Sequence, residues 1–414
     1  MDTTPPTDSP FRLELREWLA AHAPPRAGDR GTISIMAELR DDPSFIEEAR
    51  RWQRTLAGGG WGAIGWPGHY GGRDAGPADV MAFIEEVARY DLPVGVFMIG
   101  IGMVGPTLVA HATDEQKARY LPPMLRGDEI WCQLWSEPDA GSDLASLTTR
   151  AEVDGDELVL NGQKVWTSGA HYAQFGLGIF RSDPTVPKHQ GISCLVVPMD
   201  APGITVRPLR QMTGGAHFNE VFFSDARVPL ANLVGDRHDG WRVARTTLMN
   251  ERMAAGTSIS CGEAFHTLAT LARLAPRDAR RGSADAVVRQ ALARVYARGR
   301  LFDLTTARVR STLERGGIPG AEASILKLAA THFFTDLAML GATILGPEAT
   351  LADGDAPEGG RWTQAVLGSF AMHLGGGTDE IQRNIIGETV LGLPREPAVD
   401  KDVPFNEVRA VTRR

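Results

Sequence analysis

The chain has 414 residues, a mass of 44.7 kDa and a formal net charge of −8, from 43 basic and 51 acidic side chains. Apolar residues make up 43% and charged residues 23% of the chain, which excludes global disorder and collagen-like repeats and predicts two or three domains. The mild acidity argues against a general nucleic-acid-binding protein, because such a protein needs a basic face.

The cysteines and the first residues indicate the compartment. Cys132, Cys194 and Cys261 lie far apart in the sequence, which is typical of a reducing compartment and not of a disulfide scaffold. The first residues, MDTTPPTDSPF, lack the basic and apolar regions of a signal peptide. We therefore expect a cytoplasmic protein without membrane insertion. The sequence has neither a CxxC pair nor an HExxH stretch, so no metal site is expected.

Apolar side chains at helical spacing predict that the first third of the chain is helical. The predicted helices begin near Pro10, Pro43, Pro77 and Asp114. Asp8 or Ser9 can cap the first helix and Thr113 the fourth, because short polar side chains accept hydrogen bonds from free helical N–H groups. The Pro122–Pro123 pair should end the fourth helix, since proline has no N–H group.

Residues 92–110 form a run of 19 residues without a charge, long enough to span a bilayer. Prolines and glycines interrupt the run, and its flanks lack the Lys/Arg asymmetry of a membrane anchor, so we expect a buried helix or helix pair. Gly100–Gly105 also matches the dinucleotide fingerprint GxGxxG. Pro106 follows the third glycine and no clear second strand comes later, so close helix packing is the favoured interpretation.

The middle third changes to the two-residue period of β-strands. Alternation on both sides of the Asp154–Asp156 turn predicts a hairpin. Further strands are predicted at 192–199, 204–209 and 219–229. Several short strands separated by glycine and proline predict a compact β-barrel or sandwich.

Helical spacing returns after Gly240. Long helices are predicted over 241–274, 283–314 and 320–345. Ser283 is a possible cap of the second, and a final helix is expected to begin at Thr378, after a short helix and the glycine run 375–377. The expected fold class is α+β, with an N-terminal helical domain, a middle β-domain and a C-terminal helical bundle. Their predicted ranges are 1–125, 126–237 and 238–414.

Two stretches rich in glycine and small residues stand out. GWPGHYGG, at 65–72, is explained equally well as an ordinary loop. QLWSEPDAGSD, at 133–143, can bind a polar ring or a phosphate through exposed amides, with Ser136 and Ser142 as hydroxyl donors. Composition alone favours an ordinary turn for this second stretch.

A third stretch, NGQKVWTS, covers residues 161–168. Asn161–Gly162 is expected to form a tight hairpin turn. Trp166 can cover a planar cofactor or fill a core, and taken alone the stretch favours the core.

The fourth candidate is split between two places. Glu251 and Arg252 lie in an apolar helix, where adjacent positions point about 100° apart and do not face each other. A carboxylate buried there would have a raised pKa, which suits a base. The glycine run and Thr378 form a plausible helix start, because the following acids favour the helix dipole.

Together these stretches resemble the acyl-CoA dehydrogenase family over nearly the whole chain. GWPGHYGG, QLWSEPDAGSD, NGQKVWTS and GTDEIQRNIIGETVLGLPRE occur in the family's order and approximate spacing. The resemblance implies a flavoprotein that binds FAD and oxidises acyl-CoA thioesters to trans-2-enoyl-CoA. It also implies an electron-transfer flavoprotein or a similar electron acceptor as a partner.

The resemblance also implies roles for individual residues. The positions implied to line FAD are Gln133, Ser136, Gly141, Ser142, Trp166, Ser168, Thr378 and Glu380. Those that match acyl-CoA contacts are Ser142, Asn250, Arg252 and Gly377. Removal of the weakly acidic α-proton needs a positioned carboxylate. Many members place it immediately before the Gly-Thr of the last motif, where this chain has Gly376, whereas a minority place it at the position of Glu251. Glu251 is therefore the predicted base.

The C-terminal third departs from many homotetrameric members, because two stretches that contact FAD there read APRDARRGSADAVVRQ and DLAMLGATILGPEATL here. The pattern is similar to subunits of heterotetrameric members that act on bulky substrates such as sterol side-chain thioesters. A homo-oligomer or a heterotetramer with a related subunit is expected. The alternatives are an acyl-CoA oxidase or another flavin oxidase or monooxygenase on the same fold, or a non-catalytic partner subunit.

Overall fold

The computed structural model describes residues 9–25, 33–34, 42–90, 92–257, 261–275, 282–315, 322–352, 354–395, 397–398 and 400–411. The chain separates into two compact units. The first unit comprises residues 1–39, 75–92 and 255–393, and the second comprises 40–74, 93–254 and 394–414. The expected order of helices, then strands, then helices is confirmed.

The α-helices are α1 (Pro10–His22), α2 (Pro43–Gly58), α3 (Pro77–Val87), α4 (Gly105–His111), α5 (Asp114–Leu125), α6 (Gly240–Thr257), α7 (Cys261–Leu274), α8 (Ala286–Glu314), α9 (Glu322–Leu345), α10 (Arg361–Leu374), α11 (Asp379–Ile385) and α12 (Phe405–Val411). The strands are β1 (Trp131–Leu134), β2 (Arg150–Asp154), β3 (Glu157–Ser168), β4 (Phe175–Arg181), β5 (Ile192–Pro198), β6 (Ile204–Leu209) and β7 (Phe218–Pro229).

The predicted helix starts at Pro10 and Asp114 are confirmed, and a neighbouring side chain caps each of them. The Ser9 side chain accepts a hydrogen bond from the backbone N–H of Arg12, and Thr113 forms a reciprocal capping box with Gln116. The prediction that Pro122–Pro123 ends the fourth helix is wrong, because α5 continues to Leu125. Leu121 and Met124 are fully buried on either side of the two prolines, and their burial outweighs the lost backbone hydrogen bonds.

The middle of the chain forms one mixed seven-stranded sheet in the order β1-β4-β2-β3-β7-β6, with β5 on the other edge of β4. The hairpin predicted around Gly155 is confirmed as β2 and β3. Strands β1 and β4, both almost entirely buried, were not predicted, because neither alternates between apolar and polar residues. Buried side chains on β3, β4, β5 and β7 form an apolar cluster, around which the sheet curls.

The expected Asn161–Gly162 turn is wrong. Both residues lie inside β3, which pairs with β7 along this stretch. A Cβ atom at Gly162 would lie 2.7 Å from the Cα atom of Thr149, so the glycine permits a close approach between two backbone segments. The glycine is therefore required by a contact distant in sequence and not by a turn.

The uncharged run 92–110 is helical, as expected. It contains a π-helix at Gly100–Val104, which continues into α4. A Cβ atom at Gly105 would lie 2.0 Å from the Trp66 ring, and Trp66 Nε1 donates a 3.0 Å hydrogen bond to the Ile101 carbonyl. The glycines thus serve close packing, and among the described residues no strand precedes them as a dinucleotide loop requires.

In the first unit, α7, α8, α9 and α10 enclose an apolar cluster that contains Phe302, Phe333 and Trp362. Asp285 caps α8, since its Oδ1 atom accepts hydrogen bonds from the N–H groups of Val287 (2.7 Å) and Val288 (3.1 Å). The prediction of Ser283 as the cap is therefore wrong.

The long helix predicted over 241–274 is seen as α6 and α7, and residues 258–260 between them lie outside the described residues. Within the described ranges, one helical span, Ser324–Thr350, is long and apolar enough to cross a membrane by length and composition. More than half of its most apolar stretch is buried in the protein, as in the core helix of a soluble protein.

Candidate active site

The stretch 133–143 begins on β1 and continues as a tight turn. The backbone N–H of Glu137 donates to the Ala140 carbonyl (3.0 Å), and the N–H of Ala140 donates back to the Glu137 carbonyl (3.1 Å). Gly141 and Ser142 follow, both exposed, and apart from its chain neighbours no described residue has an atom within 4 Å of a Cβ atom built at Gly141. Gln133 and Ser136 are half-buried at the start of the turn. The predicted binding stretch therefore ends in an open, solvent-accessible edge.

A buried ion pair fixes this turn to the sheet. Lys164 Nζ lies 2.8 Å from Glu137 Oε1 and also donates to the Trp135 carbonyl at 3.0 Å. Both charged side chains are almost completely inaccessible to solvent. Glu137 also accepts hydrogen bonds from the N–H and Oγ1–H of Thr148 and from the N–H of Thr149. The sequence analysis did not identify this pair, because nothing local relates residues so far apart in the chain.

The electrostatics of Glu137 favour the ionised form. Burial alone would raise the pKa of this carboxyl, but the charge of Lys164 and the donated hydrogen bonds lower it below its usual value. A paired, fully hydrogen-bonded carboxylate is a structural support and has no free lone pair to act as a base. Glu137 therefore holds the turn in place.

Trp166 occupies an unusual backbone position on β3. Its φ angle is 60°, in the left-handed region that a bulky residue seldom adopts, at a bulge in the pairing with β7. Its side chain is 60% exposed, so the expectation that it fills a core is wrong. The bulge turns the indole outward, while Ser168 beyond it is half-buried and pairs with Phe218. Strain that exposes a large aromatic ring is typical of a functional position.

A backbone hydrogen bond joins the 133–143 turn directly to the β3 bulge at Trp166. The N–H of Val165 donates a 2.8 Å hydrogen bond to the Ser136 carbonyl. Nearby, the buried Nε1 of Trp135 and Oγ1 of Thr167 have no hydrogen-bond partner within the described part of the chain. An exposed indole, open space at Gly141 and unsatisfied polar atoms fit a planar, hydrogen-bonding ligand such as a flavin.

Helix α6 carries the predicted base and is anchored one turn earlier. Thr247 Oγ1 lies 2.9 Å from Thr107 Oγ1 of α4 in a buried contact. Because residues four apart share a helix face, Glu251 follows Thr247 on the same side of α6. Its side chain is half-buried, less than expected, and the neighbouring Met249 is 56% exposed. The carboxylate is thus placed on an anchored face that keeps access to solvent.

A second contact anchors α6 at Thr246, one helical turn before Asn250. His111 Nε2 lies 2.8 Å from Thr246 Oγ1, and Arg242 donates to His111 Nδ1 at 3.2 Å. Burial and the charge of Arg242 lower the pKa of His111, so the neutral imidazole donates through Nε2 to the threonine. The buried Nδ2 atom of Asn250, one turn later, has no partner among the described residues and remains available to a ligand. The side chain of Arg252 lies outside the described residues.

The glycine run lies in the first unit. Gly376 and Gly377 have φ angles of 65° and 88°, and Gln382 Nε2 donates to the Gly376 carbonyl at 2.7 Å. Thr378 caps α11, as predicted, because its side chain accepts a hydrogen bond from the N–H of Ile381. Glu380 projects into solvent with 78% of its side chain exposed.

Asp379, expected from the sequence only to favour the helix dipole as one of the acids after Thr378, is the buried anchor of this turn. Its carboxylate lies 2.7 Å from His373 Nδ1, 3.5 Å from Lys327 Nζ and 3.5 Å from His332 Nε2. Burial alone would raise its pKa, but the His373 hydrogen bond and the surrounding positive charge lower it. Across the described residues, no group of three or more His, Cys, Asp or Glu side chains is placed to hold a metal ion.

The structure thus brings most of the predicted residues into two sets. Those in the second unit are Gln133, Ser136, Gly141, Ser142, Trp166, Ser168, Asn250 and Glu251, and those in the first unit are Gly377, Thr378 and Glu380.

Comparison with known proteins defines the class of protein. The acyl-CoA dehydrogenase N-terminal, middle and C-terminal domain models match residues 7–128, 132–226 and 238–391. The chain belongs to the acyl-CoA dehydrogenase family of oxidoreductases, whose members are flavoproteins, and it is an acyl-CoA dehydrogenase. The resemblance and the fold class inferred from the sequence are thereby confirmed.

Particular relatives cover almost the whole chain. The acyl-CoA dehydrogenase IpdE1 of Mycobacterium tuberculosis is 40% identical over 391 residues, which span 93% of this chain and 98% of the relative. The solved Tcur3481-Tcur3483 steroid ACAD has a TM-score of 0.78 at 31% identity, covering 96% of this chain and 100% of that chain. The ChsE4-ChsE5 complex from Mycobacterium tuberculosis has a TM-score of 0.75 at 32% identity, with 96% and 100% coverage.

Proposed function

We propose that this chain catalyses FAD-dependent α,β-dehydrogenation of an acyl-CoA thioester to the trans-2-enoyl-CoA, with Glu251 removing the α-proton. The chemistry that bound FAD supplies is acceptance of the β-hydride. The observation that carries the proposal is the placement of Glu251 on a helix face anchored by the buried Thr247–Thr107 contact. A carboxylate base must be held in a fixed position to act on so weak an acid.

The alternative position for the base supports this assignment. Gly376 has no side chain, and its φ angle of 65° belongs to a backbone conformation that a glutamate would adopt only with strain. A base at this position would need both a different residue and a different backbone. Glu251 is then the carboxylate that the family's chemistry can use in this chain.

The residues proposed to hold FAD supply suitable groups. Ser136, Gly141 and Ser142 offer hydroxyl and amide donors, and Trp166 offers an exposed indole. Ser168, Gln133, Thr378 and Glu380 are assigned to FAD by the family resemblance. The indole can pack on the flat ring system and exclude water from one face of it.

The proposed substrate is a bulky acyl-CoA such as a sterol side-chain thioester. The name of the solved steroid ACAD and the similarity to it support this class. Asn250 supports a polar substrate contact, because a buried amide with no partner among the described residues is stabilised when a ligand accepts its hydrogen bond. Ser142, Arg252 and Gly377 are proposed to contact the same substrate.

We also propose that the chain works in an oligomer. Large apolar side chains are exposed on the first unit, among them Leu301 and Leu304 on α8 and Phe370 and Leu374 on α10. Such surfaces are typical of subunit interfaces, and the ChsE4-ChsE5 structure is a complex of two proteins. A heterotetramer with a related subunit is proposed, with a homo-oligomer as the alternative outcome.

The remaining proposals concern cellular context. An electron-transfer flavoprotein or similar acceptor would reoxidise the enzyme, and the protein would act in the cytoplasm without nucleic-acid binding or membrane insertion. The three-domain division at 1–125, 126–237 and 238–414 is proposed as well, supported by the ranges of the family matches.

One spectrum followed by a substrate panel tests the proposed function. The purified protein should show a flavin absorption spectrum, which CoA thioesters should bleach without oxygen, and steroidal thioesters should do so better than short-chain ones. A flavin-free protein that stays colourless after addition of FAD would instead favour a non-catalytic subunit. Peroxide formation at the rate of turnover in air would favour an oxidase.

A further inference from the structure

Residues 400–411 lie beyond the family's C-terminal match, which ends at 391, and belong to the same compact unit as the sheet. They pack against the connection between β4 and β5. The N–H of Phe405 donates to the Val186 carbonyl (2.9 Å), and the N–H of Asn406 donates to the Pro184 carbonyl (2.9 Å). The segment 400–406, which we call the C-terminal strap, is therefore attached through its backbone to this connection.

Two buried cations lie where the strap meets the sheet. Arg181 is 3% exposed and donates to the carbonyls of Ala145 (2.5 Å) and Lys188 (2.7 Å), while the ring of Phe405 lies 3.9 Å from its guanidinium. The guanidinium thus connects the residues just after the 133–143 stretch to an aromatic side chain of the strap. Removal of the strap would expose this cation to water.

The second cation links two acids. Lys188 Nζ lies 2.7 Å from Asp400 of the strap and 2.9 Å from Asp143, and 10% of its side chain is exposed. Asp143 immediately follows Ser142, and its side chain is 56% exposed. Asp143 also accepts a 2.5 Å hydrogen bond from Ser146. The exposed carboxylate of Asp143 is thereby held by the ammonium of Lys188, which the carboxylate of Asp400 orients.

We propose that the C-terminal strap positions the 133–143 stretch for ligand binding, with Asp400 orienting Lys188 and Lys188 holding Asp143 beside Ser142. This inference rests on the proposed function, in which that stretch binds FAD. Asp400, Lys188 and Asp143 are positioning residues and need not touch the ligand.

The physical reason is the freedom of the lysine. A lysine side chain has several rotatable bonds, and a single exposed ion pair holds it weakly. With Asp400 in place, the ammonium is fixed from two sides, so the 141–143 edge is ordered before ligand binds. Ordering that is complete before binding lowers the entropic cost of binding.

The test compares D400N with D402N in the full-length chain. Asp402 lies two residues further along and is exposed, so it provides a matched charge removal. The dissociation constant of FAD is measured by flavin fluorescence on flavin-stripped protein, together with KM and kcat for the best thioester and the melting temperature. D400N should raise the FAD dissociation constant about 3- to 10-fold, with kcat within about twofold of wild type. D402N should leave it unchanged.

Two further variants separate positioning from stability. D400E keeps the charge and should retain most of the affinity for FAD. Adding D400N to K188M should cause no further loss of affinity for FAD, because Asp400 acts through Lys188. An FAD dissociation constant for D400N equal to that of wild type would overturn the inference, even with a lowered melting temperature. A wild-type protein that binds no FAD would overturn the proposed function instead, and with it this inference.

Discussion

Two of the predicted ligand-binding segments are held by a carboxylate, in contrasting ways. The 133–143 turn is held by Glu137, whose partner Lys164 is inaccessible to solvent and which accepts three further hydrogen bonds. The glycine run is held by Asp379, whose partners include Lys327 and two histidines, one of them with 40% of its side chain exposed. The first anchor is closed to solvent, whereas the second is partly open to it.

A carboxylate fixes the backbone in both segments, but the two carboxylates differ in how firmly they do so. A buried, fully paired charge is costly to disturb, so the turn that it supports keeps one shape. Charges near solvent interact more weakly because water screens them, so the glycine run is held more loosely. The predictions below test this contrast, beginning with the largest expected effect.

Removal of Lys164 should cause the greatest loss of stability. Lys164→Met leaves Glu137 buried without its counterion, which should reduce the free energy of unfolding by about 3–5 kcal/mol. A thermal melt monitored by circular dichroism measures the loss. The double variant K164M/E137Q removes both charges and should recover part of it. Equal melting temperatures for wild type and K164M would show that the pair does not support the turn.

Asp379→Asn should have a smaller effect that depends on pH. Loss of the charged hydrogen bonds should cost about 1.5–3 kcal/mol near neutral pH. Because the folded pKa of Asp379 is lowered, its contribution is fully present above the unfolded value of about 3.9 and is lost as the pH falls through the folded value. The difference in melting temperature between wild type and D379N should therefore begin to shrink as the pH falls below about 4.

Glu380→Gln provides the control for this variant. Glu380 is 78% exposed, so its charge should contribute little to stability at any pH. A difference in melting temperature between wild type and D379N that stays constant from about pH 4 down to the lowest pH at which both proteins remain folded would contradict the role assigned to the Asp379 charge.

Within the glycine run, Gly377→Ala should cost about 1–2 kcal/mol. The φ angle of Gly377 is +88°, and an added Cβ atom would lie 2.6 Å from Gln382 Nε2. Gly375→Ala is the matched control, because Gly375 has a φ angle of −69° and its nearest neighbour would be 3.4 Å away. Similar melting temperatures for the two variants would contradict the proposed constraint.

Trp166→Gly should have the smallest effect on stability, staying within about 1 kcal/mol of wild type, because relief of the left-handed strain offsets the lost contacts. The side chain is 60% exposed, so little apolar burial is lost. Trp166→Ala keeps the strained Cβ atom and should be less stable than W166G. Thermal melts measure which of the two variants is more stable. A W166A protein more stable than W166G would argue against strain at this position.

Local signals in the sequence predicted much of the fold. The caps Ser9, Thr113 and Thr378 were identified because a cap and its helix are adjacent in the chain. Asn161–Gly162 was misassigned because the need for glycine comes from Thr149, which approaches from another segment. Pattern arguments fail where a distant contact decides the local conformation.

The candidate site shows the same limit. Its motifs were recognisable because each is a short continuous stretch. The contacts that support them, such as Glu137–Lys164 and Lys188–Asp143, join segments far apart in the chain. Exposure of Trp166 depends on a bulge against β7, which no single-strand pattern indicates. Candidate binding residues were therefore easier to propose from the sequence than the residues that hold their segments in place.

The central claim is that Glu251 is the base. It is tested most directly by comparing turnover of Glu251→Gln with that of wild type at equal flavin content, with the thioester that bleaches wild type best. The E251Q protein should keep FAD and bind the thioester but lose about 10²–10⁴-fold in turnover. Turnover close to that of wild type in a flavin-loaded E251Q protein would contradict the claim.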